Sequence, residues 1–349
     1  MAAGAARGWL WWSGFALLAL LCVAAGTAVA LALHFQARPA PAWIALWLGA
    51  LATALVLPFR RGLRAGFGLL TAGLVVFGLW WSTIRATNDR DWSPEVAELA
   101  TSLADAAAPG RIAIRNVRDF RWITPDEAAP RWETRSYDLD ALTGVDLVLT
   151  YWAGPAIAHT MVSFGFANGE HVVFSVGIRP ARGQAYSSLA GFFKAYELIV
   201  TVADERDAIG LRTSVQEGNS VHLYRLAMPP ALARGLFREY MELADGLAER
   251  PRFYRTIVAN CTTVIWSLVR RLDPRLPFDW RVLLPGYLPG YLHEIGALDP
   301  RFPLAEIEAM SALPADVPLD LDGRDYSAAL RQGIPPLSQE ALHRALAAD

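Results

Sequence analysis

HTMVSFGFANGEHVVFSVGI, residues 159–178, reads as two β-rich runs closed by a turn at Asn168-Gly169. An Asn-Gly pair between such runs is a strong short-range hairpin signal, because both residues tolerate the positive φ that tight turns require. A two-residue turn there pairs His159 with Ile178 and His171 with Phe166. Further strands are expected at Arg111 to Val117, Leu147 to Trp152, Glu197 to Ala203 and Val221 to Leu226. Helical periodicity runs through Pro230 to Arg250 and Phe253 to Arg271 on either side of Pro251, which suggests a helical hairpin. Ser93, Pro94 and the Pro109-Gly110 stop frame a further helix over Pro94 to Ala107. Beyond Leu272 the chain is rich in Pro and Gly, with one amphipathic helix expected near Leu304 to Met310. The expected class is α+β, with antiparallel strands and helices packed on one side.

Ahead of this domain the sequence is apolar. Trp9 to Leu33, Trp43 to Leu57 and Gly66 to Ile84 approach the roughly 17–25 residues needed to cross about 30 Å of hydrocarbon. Tryptophans at positions 11, 12, 43, 80 and 81 lie near the segment ends, where interface-seeking indoles collect. A cleaved signal peptide competes for the first run, since Arg7 precedes it and Ala28-Val29-Ala30 resembles a cleavage site. A lipoprotein signal fits poorly, because Leu21 precedes Cys22. Arg7, Arg60, Arg61 and Arg64 outweigh Arg38 and place their ends of the helices in the cytoplasm. Everything after Ile84 is then extracytoplasmic, with or without cleavage. The expected organisation is a three-helix anchor over 1–84 and a catalytic domain over 85–349.

The 349 residues carry 32 basic and 34 acidic side chains, net −2, without the basic footprint that duplex nucleic acid demands. Nucleic acid is not an expected partner. Two distant cysteines, Cys22 and Cys261, make neither a disulfide framework nor a CxxC zinc site. His293-Glu294 begins an HExxH pattern, but position 297 is alanine, so no metal is expected. No phosphate loop, dinucleotide fingerprint or nucleophile elbow is found, and no cofactor is expected.

Cys261 remains. A lone cysteine with histidines elsewhere is the pattern of a thiol nucleophile, because an adjacent imidazole promotes the thiolate at neutral pH. A single buried cysteine on a helix is also a common small apolar core residue, and the pattern alone leaves both open. Asn260-Cys261-Thr262-Thr263 opens an apolar helix, so backbone N–H groups would lie near the sulfur and a developing oxyanion.

RNVRDFRW (115–122), RWETRSYDLDAL (131–142), YWAGPAIAHTMVSFGF (151–166), Ser175 to Arg179, YSSLAGFFKAYELIV (186–200), ADERDAIGLRT (203–213), PRFYRTIVANCTT (251–263) and LLPGY (283–287) together resemble the Lnb N-terminal periplasmic domain family of bacterial membrane proteins. The resemblance spans about Arg115 to Tyr291. The upstream histidine and downstream Asn-Cys also look like the circularly permuted papain-like thiol enzymes. This resemblance implies a papain-like fold, Cys261 as nucleophile and His159 as general base. It further implies acyl transfer through a thioester on bacterial lipoprotein or phospholipid, at the outer face of the inner membrane. Asn260, Thr262, Arg179 and Tyr254 are the expected oxyanion or substrate contacts, with Glu197 a further pocket residue. The family run after Ser175 reaches an acidic residue where this chain has Gly177. His171 is disfavoured as the third catalytic group, because the expected register turns it away from the face of His159. A cell-wall amidase or thiol peptidase, and a non-catalytic membrane-tethered binding module, are the alternatives.

Overall fold

The computed structural model describes residues 2–103, 110–315, 317–338 and 341. The chain forms two compact units, one comprising the chain up to Ala86 together with Tyr186–Tyr196, the other holding the rest.

In the first unit α1 (Ala2–Gln36), α2 (Ala40–Val56), the one-turn α3 (Pro58–Arg61) and α4 (Leu63–Thr83) form an up-down-up bundle. Three stretches, Gly8–Gln36, Ala40–Arg61 and Leu63–Thr83, are long and apolar enough to span a bilayer. Leu18, Cys22, Val29, Trp47, Leu51, Ala54 and Leu70 fill its centre, while Leu20, Val23, Leu46, Val76 and Leu79 face outward. Apolar side chains on both the inside and the outside are what a lipid solvent selects. At Gly66 the helices touch backbone to backbone: an added Cβ would stand 2.6 Å from the Ala54 carbonyl oxygen. Small residues permit such approaches between membrane helices.

The second unit is built on a mixed sheet of eight strands: β1 (Thr101–Leu103), β2 (Arg111–Arg118), β5 (Trp132–Asp138), β6 (Leu142–Tyr151), β7 (Ala158–Phe166), β8 (His171–Arg179), β9 (Glu197–Asp204) and β10 (Ser220–Leu226). The order is β1-β2-β9-β8-β7-β6-β10, with β5 also paired to β2. The small strands β3 (Arg121–Thr124) and β4 (Glu127–Ala129) form a separate hairpin. All pairs are antiparallel except β2 with β9, so the sheet is mixed rather than purely antiparallel.

Helices occupy both faces, not one. On one face α6 (Pro230–Glu249) and α7 (Cys261–Leu272) bury Phe237, Tyr240, Val264 and Leu268 against Phe164, Phe174 and Val200. On the other, the one-turn α5 (Glu205–Ala208) and α10 (Gly323–Leu330) cover Val148, Met161, Val173 and Leu223. The short helices α8 (Leu288–Glu294) and α9 (Leu304–Ser311) follow α7 in the chain and add Leu288, Tyr291 and Ile307 to the first core.

Three further expectations are corrected. The helix over Pro94 to Ala107 is a single 3₁₀ turn at Pro94–Val96, and Thr101–Leu103 has joined the sheet beside β2. Pairing there, reinforced by the Asp245 carboxylate accepting from Ser102 N at 2.8 Å, overrides weak local propensity; residues 104–107 lie outside the described residues. The second helix of the expected hairpin starts at Cys261 and not at Phe253, because the preceding segment is held extended by bridges from Phe253 to Glu197 and from Arg255 to Ala259. The β7–β8 register is also shifted by one: Gly165 faces His171 and Met161 faces Ser175. Gly169, at φ +82°, adds a bulge residue after a turn closed by Gly169 N donating to Phe166 O, so Phe166 pairs with Glu170. A three-residue loop with a left-handed glycine thus replaces the two-residue turn.

Candidate active site

Alternation along β7 decides which expected site residues meet. Its even-numbered members Ala158, Val162, Phe164 and Phe166 belong to the core under α6 and α7, while Met161 belongs to the core under α5 and α10. Thr160 follows the even set: its hydroxyl lies 2.8 Å from the Thr262 hydroxyl on α7. Cys261 is the first residue of that helix, 8% exposed, with Sγ 3.7 Å from Thr262 Oγ1. Tyr240 of α6 is its other neighbour. Burial, and then the adjacent thiol, push the Tyr240 phenol well above its usual range, and its hydroxyl has no hydrogen-bond partner among the described residues.

Asn260 caps α7. Its Oδ1 accepts from Thr262 N at 2.9 Å, Thr263 N at 2.8 Å and the Thr263 hydroxyl at 3.0 Å, while its Nδ2 donates to Thr256 O at 2.8 Å. The Thr263 hydroxyl returns a contact to Asn260 N at 3.0 Å, completing a reciprocal cap. The expected oxyanion contacts are thereby spent: the Asn260 amide and the Thr262 N–H serve the helix end. Tyr254 packs against the same core as α7.

His159 points the other way. Its Nε2 is 2.8 Å from the hydroxyl of Ser175, an odd-numbered residue of β8 whose even neighbours Phe174 and Val176 line the α7 face. Burial, and then the charge of Arg212, hold the imidazole at about 3, so it is neutral at ordinary pH. The expected thiol–imidazole contact is therefore not formed: Cys261 and His159 lie in opposite layers, because the strand turns adjacent side chains to opposite faces. The shifted register also corrects the reasoning about His171. It shares the face of His159, but it stands opposite Gly165, six positions along the strand and about 20 Å away.

Arg179 is committed to the interior. It donates to Val96 O at 2.9 Å, Ala97 O at 2.6 Å and Asn88 Oδ1 at 3.0 Å, and lies 4.3 Å over the Trp92 ring. That leaves it a positioning role for the segment before β1 rather than a substrate contact. Glu197 is buried beside Arg90 at 3.3 Å, and burial raises its pKa.

Residues 128–286 match the Lnb N-terminal periplasmic domain family. This part of the chain belongs to that family. Comparison with curated proteins and with solved structures finds no match.

One group of residues in the Lnb domain escaped the sequence reading as a unit, although it lies in the quoted ADERDAIGLRT run. Asp204, Glu205, Arg206 and Asp207 are all buried, and each is paired. Arg118 grips Asp207 through two bonds of 2.8 and 2.9 Å, and the Phe120 N–H and Trp122 indole complete its shell. Arg331 bridges Asp146 and Glu205, Arg206 pairs with Asp119, and Arg135 meets Asp204 at 2.8 Å. Burial raises Glu205, yet Arg331 and the Ser163 hydroxyl outweigh it and bring it to about 2. Four consecutive residues, three acidic and one basic, immediately after an apolar strand were the available signal, since such a run at a strand end needs partners if it is covered.

Proposed function

We propose that this protein is a membrane-anchored, extracytoplasmic acyltransferase in which the Cys261 thiol carries the acyl group. The observation that carries the reading is the place of Cys261 as the first residue of a helix closed by a reciprocal cap, within a Lnb domain that follows three apolar helices. In the first half-reaction Sγ attacks the carbonyl of a lipid ester; the S–C bond forms, the C–O bond breaks, and the alcohol leaves with the thiol proton. In the second, an amine attacks the thioester; the N–C bond forms, the S–C bond breaks, and the amine's proton restores the thiol. The partial positive charge at the helix N-terminus favours the oxyanion through the Cys261 N–H.

His159 is not written into these steps as the base, since it faces the opposite layer. The anchor supports a lipid or lipoprotein substrate at the outer surface of the inner membrane, because Arg7, Arg60, Arg61 and Arg64 outweigh Arg38 and favour the cytoplasm for their helix ends. The test is transfer by the full chain in proteoliposomes from a phospholipid to an amino-terminal lipopeptide. Transfer abolished by Cys261→Ala supports the proposal, and undiminished transfer by that variant overturns it.

A second reading is favoured by the 2.8 Å contact between His159 and Ser175. There the hydroxyl of Ser175 is the nucleophile and His159 takes its proton, with Arg212 facing the oxyanion.

A further inference from the structure

The eleven residues from Tyr186 to Tyr196 lie inside the Lnb segment, between β8 and β9, yet cluster with the N-terminal apolar helices rather than with the sheet unit. They are fastened there by specific contacts. The Gln36 amide at the end of α1 donates to Phe193 O and Lys194 O, both at 2.7 Å, and Phe35 stacks on Phe193 at 5.7 Å. Lys194 donates to Trp81 O at 2.8 Å and Ile84 O at 3.3 Å at the end of α4, with its ammonium 4.8 Å from the Trp81 ring. The Tyr196 hydroxyl accepts from Ser187 N at 2.8 Å and closes the excursion on itself.

Gln36 ends α1 and Trp81 lies in the last turn of α4, at the end of the bundle opposite Arg60 and Arg61, which is the outward end in the orientation proposed above. Tyr186, Leu189 and Phe192 are 62%, 46% and 50% exposed, while Ala190 and Gly191 between them are buried. Leu189, the N-cap, and Phe192, three residues on, share one face of the 3₁₀ turn at Ala190–Phe192. Exposed aromatic and aliphatic side chains fastened beside Trp81 at the end of an apolar helix suit the headgroup and upper acyl zone of a bilayer.

We propose that Tyr186, Leu189 and Phe192 insert into the outer leaflet, making the β8–β9 excursion a membrane-seated lip of the Lnb domain. The lip depends on the anchor helices spanning the membrane and not on the identity of the nucleophile. The occupant is lipid itself, met by the exposed Leu189 and Phe192 side chains.

The test uses the full chain in lipid nanodiscs, with Cys22→Ala and Cys261→Ala removing native thiols and one cysteine placed by Phe192→Cys or, separately, Leu189→Cys. Each is labelled with an environment-sensitive fluorophore, and Leu79→Cys within α4 supplies the reference. Doxyl-labelled phosphatidylcholine should quench the labels at 189 and 192 to at least half the extent seen at 79, with blue-shifted emission. Water-like emission and no quenching at both lip positions, alongside a quenched label at 79, overturns the lip. No quenching at 79 either overturns the spanning anchor and the lip with it.

Discussion

The two faces of the central sheet are built by the same alternation and end in different chemistry. Under α6 and α7 the face is aromatic and dry: Phe174 lies 5.0 Å from Phe237 and 4.9 Å from Tyr240, and the polar groups that enter include the Cys261 thiol, the Tyr240 hydroxyl and the Thr160–Thr262 hydroxyl pair. Under α5 and α10 the face carries Ser163, Ser175 and His159 beside paired charges. A thiol and an imidazole thus exist in one domain on opposite faces of its sheet. Neighbouring residues in a strand, here His159 and Thr160, can serve sites that do not communicate by contact.

The first way to break this comparison is by activity. Cys261→Ala is expected to cut acyl transfer by about 10³-fold or more in a proteoliposome assay. His159→Ala should leave most of the rate, because its ring does not touch the thiol. An equal loss in both variants would mean that the faces act as one site. The second way is by stability. Arg331→Ala leaves Asp146 and Glu205 as buried, unpaired carboxylates, and is expected to cost about 3–5 kcal/mol in denaturant unfolding of the full chain in detergent. A cost below about 1 kcal/mol would show that water reaches that layer.

On the dry face, Thr160→Val takes away the Thr262 hydroxyl's 2.8 Å partner, leaving only the longer contact to Cys261 Sγ, and should cost about 1–3 kcal/mol, whereas the double variant Thr160→Val, Thr262→Val should recover most of it. A strictly additive cycle would deny the contact between β7 and α7. Asn260→Ala should cost about 1 kcal/mol through the lost cap.

A further effect is a pH slope. His159 sits at about 3 in the folded chain against about 6.5 when unfolded, so the unfolded state binds the extra proton between those values. Its contribution to stability is complete above about 6.5 and is lost as pH falls toward 3. His159→Gln should flatten that part of the stability profile, which unfolding midpoints measured between pH 7 and pH 4 would show.

Much of the fold was legible in the sequence because strand and helix periods are local properties. The runs at 159–166, 171–178, 197–203 and 221–226 are strands, and the Asn260 start of an apolar helix is where α7 begins. What failed depended on non-local pairing or on a single residue of register. Residues 101–103 are strand because β2 lies beside them, and the hairpin shifted because Gly169 takes the bulge position. The site was legible as residue types and illegible as geometry. The AHT run announces a histidine, but only the layer that covers each face tells which of His159 and Thr160 looks toward Cys261. Arg179 likewise reads as a free cation until Val96, Ala97, Asn88 and Trp92 surround it.

The most direct measurement is peptide mapping by mass spectrometry of the full chain, trapped after mixing with phospholipid in the absence of an amine acceptor. The account predicts a hydroxylamine-labile acyl group on the peptide containing Cys261, absent from the Cys261→Ala protein. An acyl group on the peptide containing Ser175, with Cys261 unmodified, would contradict it.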